Sequence, residues 1–256
     1  MQKQIAKYRN QLSIVAALAF ACLLLLTVSV ASSNNSLVSN QSEGLQIDNK
    51  TQAFQIISSE INNGVVTVSL RNGYSKTING FTLGDSESSG IQIDFTSTDS
   101  AIAPGENYQY KIPLRSIQSS LNSAENNKFK LKVLSVVFDD GSSDGDYHAI
   151  VQMKNRRHGE KVQLARIIPL LNKALASSDA DIFDALSRLK SQISALSIEP
   201  ENGQPAEIVG GLHHGKEDAL AQIRALEERQ MAQGNLDLRQ GLLAIKKRFE
   251  KKAPKL

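Results

Sequence analysis

The spacing of apolar residues changes once along this chain, and that change restricts its possible folds more than any other feature. Between about residues 44 and 154, apolar and polar residues alternate in short runs that turn residues separate. From residue 155 to about residue 252, apolar residues recur every three or four positions. Alternation is typical of strands with one buried face, and the longer period is typical of amphipathic helices. The sequence therefore predicts an α+β fold by segments, with an antiparallel β-sandwich followed by an α-helical C-terminal region.

A membrane signal precedes both segments. Residues 12–31 carry no charge over 20 residues, and the flank before them holds Lys3, Lys7 and Arg9 without an acid. Twenty residues of helix rise about 30 Å, which is enough to cross the hydrocarbon core of a bilayer. A cationic flank before such a run is typical of a secretory signal or a signal anchor, and the flank stays in the cytoplasm. We therefore predict a signal anchor or signal peptide at residues 1–31, with residues 32–256 outside the cytoplasm.

Two fates of this N-terminal segment stay open. Ser29 and Ala31 provide the small residues that a signal peptidase requires, whereas the apolar run is longer than the core of most cleaved signals. Retention gives a single-pass membrane protein, and cleavage near Ala31 gives a secreted or periplasmic one. Residues 32–43 are small and polar, which predicts a flexible spacer in either case.

The sandwich segment at residues 44–154 contains about seven runs with the period of a strand. In one run, Val66, Val68 and Leu70 fall on one face and polar residues fall on the other. Two later runs are each predicted to have one apolar face. The first run has Phe129, Leu131, Val133 and Val137 on that face, and the second has Tyr147, Ala149, Val151 and Met153. Turns are predicted at the Asn-Gly pairs 63–64, 72–73 and 79–80 and at the Pro-Gly pair 104–105.

The stretch GVVTVSLRNGYSKTINGFTL, followed by IAPGENYQYKIPL, is similar to the small immunoglobulin-like modules of bacterial cell-envelope proteins. Those modules show alternating valines and a leucine before an asparagine, then K-x-I-x-x-F, and later Pro-Gly-Glu before an aromatic-rich strand. The resemblance covers about residues 52–153. It implies an immunoglobulin-like antiparallel β-sandwich that serves as a spacer, an adhesive unit or an assembly platform. The disulfide and tryptophan of antibody domains are absent, because the chain has one cysteine and no tryptophan.

The C-terminal region predicts three parts. Residues 155–197 form a helical segment, in which Pro169 is expected to kink or split the first helix. Residues 198–215 are rich in proline and glycine, which predicts a linker. Residues 216–252 predict either a helical hairpin or one bent long helix. The apolar stripes of these helices are expected to pack on each other, on the sandwich or on a partner chain.

Aspartates concentrate in the stretch VVFDDGSSDGDYHAIV, residues 136–151. Asp140, Asp144 and Asp146 are candidate calcium ligands, because Ca²⁺ is bound by carboxylate oxygens. An EF-hand that starts at Asp140 needs an acid at its twelfth position, and the chain has Val151 there. The EF-hand is therefore excluded. A shallow calcium site within the loop stays open, beside a plain connecting loop and a loop that contacts a partner.

Composition and motifs exclude several classes of function. The one cysteine, Cys22, lies in the apolar run, so thiolate metal sites and disulfides are excluded downstream. The net charge of +3 resides in the N-terminal flank, and the rest of the chain is balanced, which does not indicate nucleic-acid binding. No catalytic or nucleotide-binding motif occurs, and the adjacent His213 and His214 lack the further ligands of a metal site.

The sequence as a whole predicts a non-enzymatic, membrane-anchored or exported envelope protein. We expect it to act as a scaffold or a protein–protein interaction module, with an unknown protein partner and with residues 12–31 as its membrane contact. No cofactor and no small-molecule substrate is inferred. The alternative is a ligand-binding module for calcium or a glycan that uses the loop at residues 139–146.

Overall fold

The computed structural model describes residues 40–41, 45–86, 89–96, 101–113, 129–178, 181–199, 203–233 and 237–256. The expected membrane segment at residues 12–31 and most of the spacer at residues 32–43 lie outside these ranges. No helix within the ranges is both long enough and apolar enough to span a bilayer. The described part is a mixed α and β structure that contains two sheets and four α-helices.

Nine strands form the two sheets of the described part. The first sheet places β1 (Asn40–Gln41), β3 (Phe54–Asn62), β4 (Val65–Asn72) and β7 (Asn107–Pro113) side by side in that order. The second places β2 (Leu45–Asn49), β8 (Phe129–Phe138), β5 (Ile78–Ser86) and β6 (Ser89–Asp94) in order, and β9 (Ser143–Gly145) also pairs with β8. The pairs β1–β3 and β2–β8 are parallel and all others are antiparallel. The prediction of purely antiparallel strands is therefore wrong at these two edges.

The two sheets enclose a shared apolar core. Val66, Val68 and Leu70 of β4 are fully buried, as their alternation predicts, and they belong to one cluster with Phe81 of β5. The ring of Phe81 packs edge-on against the ring of Phe54, with 5.2 Å between the ring centroids. Burying one such side chain contributes about 1.5–3 kcal/mol, so this cluster holds the two sheets together.

A register shift in β8 decides which of its side chains face this core. Where β8 pairs with β5, Leu134 is an extra residue that has no partner in the register. An extra residue of this kind inverts the alternation of the side chains beyond it. Val136 therefore joins Val133 in the core, whereas Val137 lines a cleft on the side of the helices. The prediction that Val137 shares a face with Val133 is wrong for this reason.

Helix α1 (Tyr147–Leu175) begins directly after β9, so the interpretation of residues 147–153 as a strand is wrong. The Asp146 carboxylate accepts a hydrogen bond of 2.9 Å from the backbone N–H of Ala149 and thereby caps the helix. The buried positions on α1 then recur at helical spacing: Ala149, Met153, Arg157, Glu160, Leu164, Ile167 and Leu171. Ala149 and Met153 are four residues apart, a spacing that fits both periods, which is why the alternation was misleading.

Three further helices form a bundle with α1: α2 (Ile182–Ser194), α3 (Ala206–Gln233) and α4 (Leu238–Lys252), followed by a 3₁₀ turn at Ala253–Lys255. Their apolar stripes share one core with α1, so the helices pack on each other. The ion pair of Lys190 with Glu227, at 2.6 Å, and the bond from Lys216 to the carbonyl of Leu196 make α2 and α3 antiparallel. Pro169 lies within α1 and does not split it.

The start of α3 corrects the predicted linker, because residues 206–215 are helical. Of the glycines that suggested a linker, Gly211 and Gly215 lie where α3 crosses α1. A Cβ at Gly211 would overlap the carbonyl oxygen of Arg156, and a Cβ at Gly159 would overlap that of Ile208. These glycines therefore let two helical backbones touch, and they do not provide flexibility.

Candidate functional site

The loop between β8 and α1 carries the candidate calcium ligands. The first of them, Asp140, has partners both inside and outside the loop. Asp140 forms an ion pair of 2.8 Å with Lys76. It also accepts hydrogen bonds from the backbone N–H and the hydroxyl of Ser142. The bonds from Lys76 and Ser142 hold the pKa of Asp140 well below its usual value. The pair is exposed to solvent, so it adds little to stability.

The other two candidate ligands have different partners. One carboxylate oxygen of Asp144 accepts hydrogen bonds from the backbone N–H groups of Gln52, at 2.6 Å, and Ala53, at 2.9 Å. Those donors lie between β2 and β3, so Asp144 ties β9 to the start of the sandwich. Asp146 caps α1 through Ala149, which is a third and separate role.

The structure does not bring the three carboxylates to one point. Within the described ranges, no group of three or more His, Cys, Asp or Glu side chains is placed to hold a metal ion. Each of these three carboxylates instead satisfies its own set of backbone or side-chain donors. The geometry of the loop therefore supports a structural connection between the sandwich and α1.

The contact between α1 and the second sheet is centred on Arg157. Its guanidinium donates to both carboxylate oxygens of Asp94, at 2.9 and 3.2 Å, and to the backbone carbonyl of Asn79, at 3.1 Å. Burial raises the pKa of Asp94. The charge and hydrogen bonds of Arg157 lower it by a larger amount, so the pKa lies below its usual value. A Cβ at Gly80 would overlap this guanidinium, so a side chain at position 80 would displace it.

A second group of charges lies inside the helical bundle. Lys252 of α4 forms an ion pair with Glu160 of α1, and both side chains are 4% exposed. Asp218 of α3 lies 3.4 Å from the same ammonium group, and Arg248 lies 3.7 Å from Asp218. His214 Nε2 lies 3.6 Å from Glu160 on the outer side. The cluster thus joins three helices through one buried cation.

Two clefts flank α1 where it leaves the sandwich. The first, of about 450 Å³, lies between the loop after β8, the side of α1 and the C-terminal turn, and it contains Lys154, His158 and Lys161. The second, also about 450 Å³, lies between β6, α1 and α3 and contains the adjacent histidines His213 and His214. His148 is exposed on the first turn of α1.

Sequence reasoning missed the buried charges, although a signal for them exists. Arg157 and Glu160 occupy positions of the buried stripe of α1, between Met153 and Leu164. Lys252 continues the buried stripe of α4 in the same way. A charged residue at the spacing of a core position predicts a buried pair, because an unpaired charge is too costly to bury.

Comparison of the chain with protein-family models, with curated proteins and with solved structures found no match.

Proposed function

We propose that this chain is a non-enzymatic scaffold or protein–protein interaction module, delivered outside the cytoplasmic membrane by residues 1–31. The observation that supports the proposal is helix α1, whose 29 residues begin beside the second sheet and end in the bundle. A helix of that length is about 44 Å long. Buried contacts of α1 with both parts hold the sandwich and the bundle in one orientation, as a scaffold requires.

The sandwich is proposed to be an immunoglobulin-like module. Two sheets that share one core support this interpretation, together with the antiparallel pairing of the central strands. The parallel pairs β1–β3 and β2–β8 lie at sheet edges and leave the central arrangement intact. Such modules serve many functions, so the fold does not itself select the partner.

The partner contact is proposed at the end of the bundle that is distant from the sandwich. Phe183 in the first turn of α2 is 57% exposed, and Met231 near the end of α3 is 78% exposed. Because α2 and α3 are antiparallel, both side chains lie at the same end of the helix pair. Exposed large apolar side chains at one end of a helix pair support a protein contact at that end.

Site-specific photocrosslinking in the native membrane tests the contact. A photoreactive residue is placed at Phe183 in one variant and at Arg188, also exposed on α2, in a control variant. We expect one adduct of defined mass from position 183 and none from position 188. Equal labelling at both positions, or none at position 183, would contradict a contact at this end of the bundle.

The export part of the proposal has a separate test. A phosphatase that is active only outside the cytoplasm is fused after Leu256, and a reporter that is active only inside is fused at the same point in a second strain. We expect activity from the first fusion alone. Activity from the second alone would place residues 32–256 in the cytoplasm and end the envelope interpretation.

A further inference from the structure

We propose that the first cleft beside α1 binds a small ligand of the phosphate class that carries at least two negative charges. The cleft has a volume of about 450 Å³, within the range of roughly 300–1,000 Å³ that is common for small-molecule sites. Three separate elements enclose it, so its shape does not depend on a single loop. This inference is independent of the scaffold function proposed above.

The charges around the cleft favour an anion. Lys154, His158 and Lys161 lie on one side of α1 at helical spacing, and all three are exposed. Lys255 of the C-terminal turn lines the same cleft. Within the described ranges, none of these lysines has an ion-pair partner, so their charges are available to a ligand.

The other charged groups of the cleft are mostly neutralised by partners. Arg157 is paired with Asp94, and Asp140 is paired with Lys76. The opposing side-chain charge that remains is the carboxylate of Asp139. Three lysines therefore exceed this one carboxylate by two charges, and a ligand with two negative charges restores the balance. Lysine ammonium groups bind phosphate as point charges, which suits an ester or a diphosphate.

A buried polar side chain lies at the wall of the cleft. Asn79 lines the cleft and is 7% exposed, and its buried Oδ1 has no hydrogen-bond partner among the described residues. A buried acceptor without a partner is costly unless a water molecule or a ligand satisfies it. The apolar side chains of Val137 and Pro254 complete the lining, so the ligand has room for a short carbon chain beside its phosphate.

Isothermal titration of the full chain in detergent with inorganic pyrophosphate tests the site. The test variant is K154Q/K161Q, which removes two charges from the cleft. The control is K173Q/K247Q, which removes two exposed charges elsewhere on α1 and α4. We expect saturable binding that weakens about tenfold in the test variant and less than twofold in the control, since Coulomb attraction falls steeply with distance in water. Equal weakening in both variants, or no saturable binding to the unmodified chain, would overturn the proposal.

Two further measurements distinguish a lipid phosphate from a soluble one and locate the binding site. Short-chain phosphatidic acid replaces pyrophosphate in one arm, with short-chain phosphatidylcholine as its zwitterionic control. Tighter binding of the lipid, again lost only in K154Q/K161Q, identifies a lipid headgroup, and tighter binding of pyrophosphate identifies a soluble ligand. In NMR spectra, the amide of Gly141 in the cleft is expected to shift on binding, whereas that of Gly64 in the distant β3–β4 turn is not. A shift at Gly64 alone would refute this location.

Discussion

Helix α1 carries two buried charges three residues apart, and each joins the helix to a different part of the molecule. Arg157 pairs with Asp94 of the sandwich, whose side chain is 30% exposed, whereas Glu160 pairs with Lys252 of the bundle, where both side chains are 4% exposed. The first pair keeps contact with water, and the second does not. A charge in a dry site is stabilised only by its partner, so removal of the partner is more costly there.

The glycines beside the two ion pairs also differ in what surrounds them: a side chain at the first pair and a helix backbone at the second. Gly80 lies under the guanidinium of Arg157, a side chain that can move aside. Gly159 and Gly211 lie against the backbone of the facing helix, which cannot move without displacing the whole helix. The contact of α1 with the sandwich therefore tolerates a local shift of one side chain, whereas its contact with α3 does not.

The largest expected effect follows from removal of the buried cation. Lys252→Met leaves the Glu160 and Asp218 carboxylates without their shared ammonium group. We expect a loss of about 3–5 kcal/mol in the free energy of unfolding, measured by urea denaturation. The double variant Glu160→Leu with Lys252→Met removes both members of the dry pair and should recover most of this loss. A double variant as unstable as the single one would show that packing, and not charge, dominates this site.

The helix crossing provides the next prediction, with its control one residue away. Gly211→Ala places a Cβ against the carbonyl oxygen of Arg156, whereas a Cβ at Gly210 meets no atom within 4 Å. We expect Gly211→Ala to destabilise the protein by about 1–3 kcal/mol through strain. Gly210→Ala should stabilise it by about 0.4–1 kcal/mol, because alanine restricts the unfolded chain. Similar effects of the two substitutions in urea denaturation would contradict a close helix crossing.

A substitution at the ion pair between the sandwich and α1 should lower the free energy of unfolding by less, and by an amount that depends on pH. Asp94→Asn removes the charge that faces Arg157 and is expected to cost about 1–2 kcal/mol at neutral pH. Since the folded pKa of Asp94 is lowered, its contribution is complete above the pKa of the unfolded chain and is lost as the pH falls through the folded value. The difference from the unmodified chain should therefore shrink below about pH 4.

A matched substitution separates the contribution of the Asp94–Arg157 pair from the loss of stability that acidic pH causes throughout the protein. Glu228→Gln changes an exposed carboxylate of α3 that has no ion-pair partner within the described residues. Its difference from the unmodified chain should stay small at every pH. A difference for Asp94→Asn that is the same at pH 3 and pH 7 would show that the carboxylate is not the group that stabilises the junction.

The spacing of apolar residues predicts most of the strands and helices, but it does not predict the role of each glycine. Three Asn-Gly pairs appear equivalent in the sequence, yet only Asn63–Gly64 forms the predicted tight hairpin turn, with φ of 49° and 74°. Asn79–Gly80 lies inside β5, where the absent side chain makes room for Arg157. The difference depends on a neighbour that is distant in the chain, which local spacing cannot show.

The same limit explains the errors around the candidate site. Alternation over residues 147–153 fits a strand, and the cap from Asp146 selects the helix instead. Glycines at residues 210–215 fit a linker until the facing helix is known. The burial of Val66, Val68 and Leu70 was predictable, because these side chains need only a sheet face and no specific partner.

The smallest effects are expected in the aspartate loop, where partners remain near water. Asp144→Ala removes the acceptor of two backbone N–H groups and should cost about 1 kcal/mol, since water can partly replace it at the exposed Gln52. Asp140→Asn breaks only an exposed pair with Lys76 and should leave the melting temperature unchanged. Millimolar calcium should not raise the melting temperature of the unmodified chain, because the three carboxylates of the loop bind separate donors. A calcium-dependent rise that Asp140→Asn abolishes would show instead that the loop rearranges to gather them, and the start of α1 would then tolerate more rearrangement than its geometry indicates.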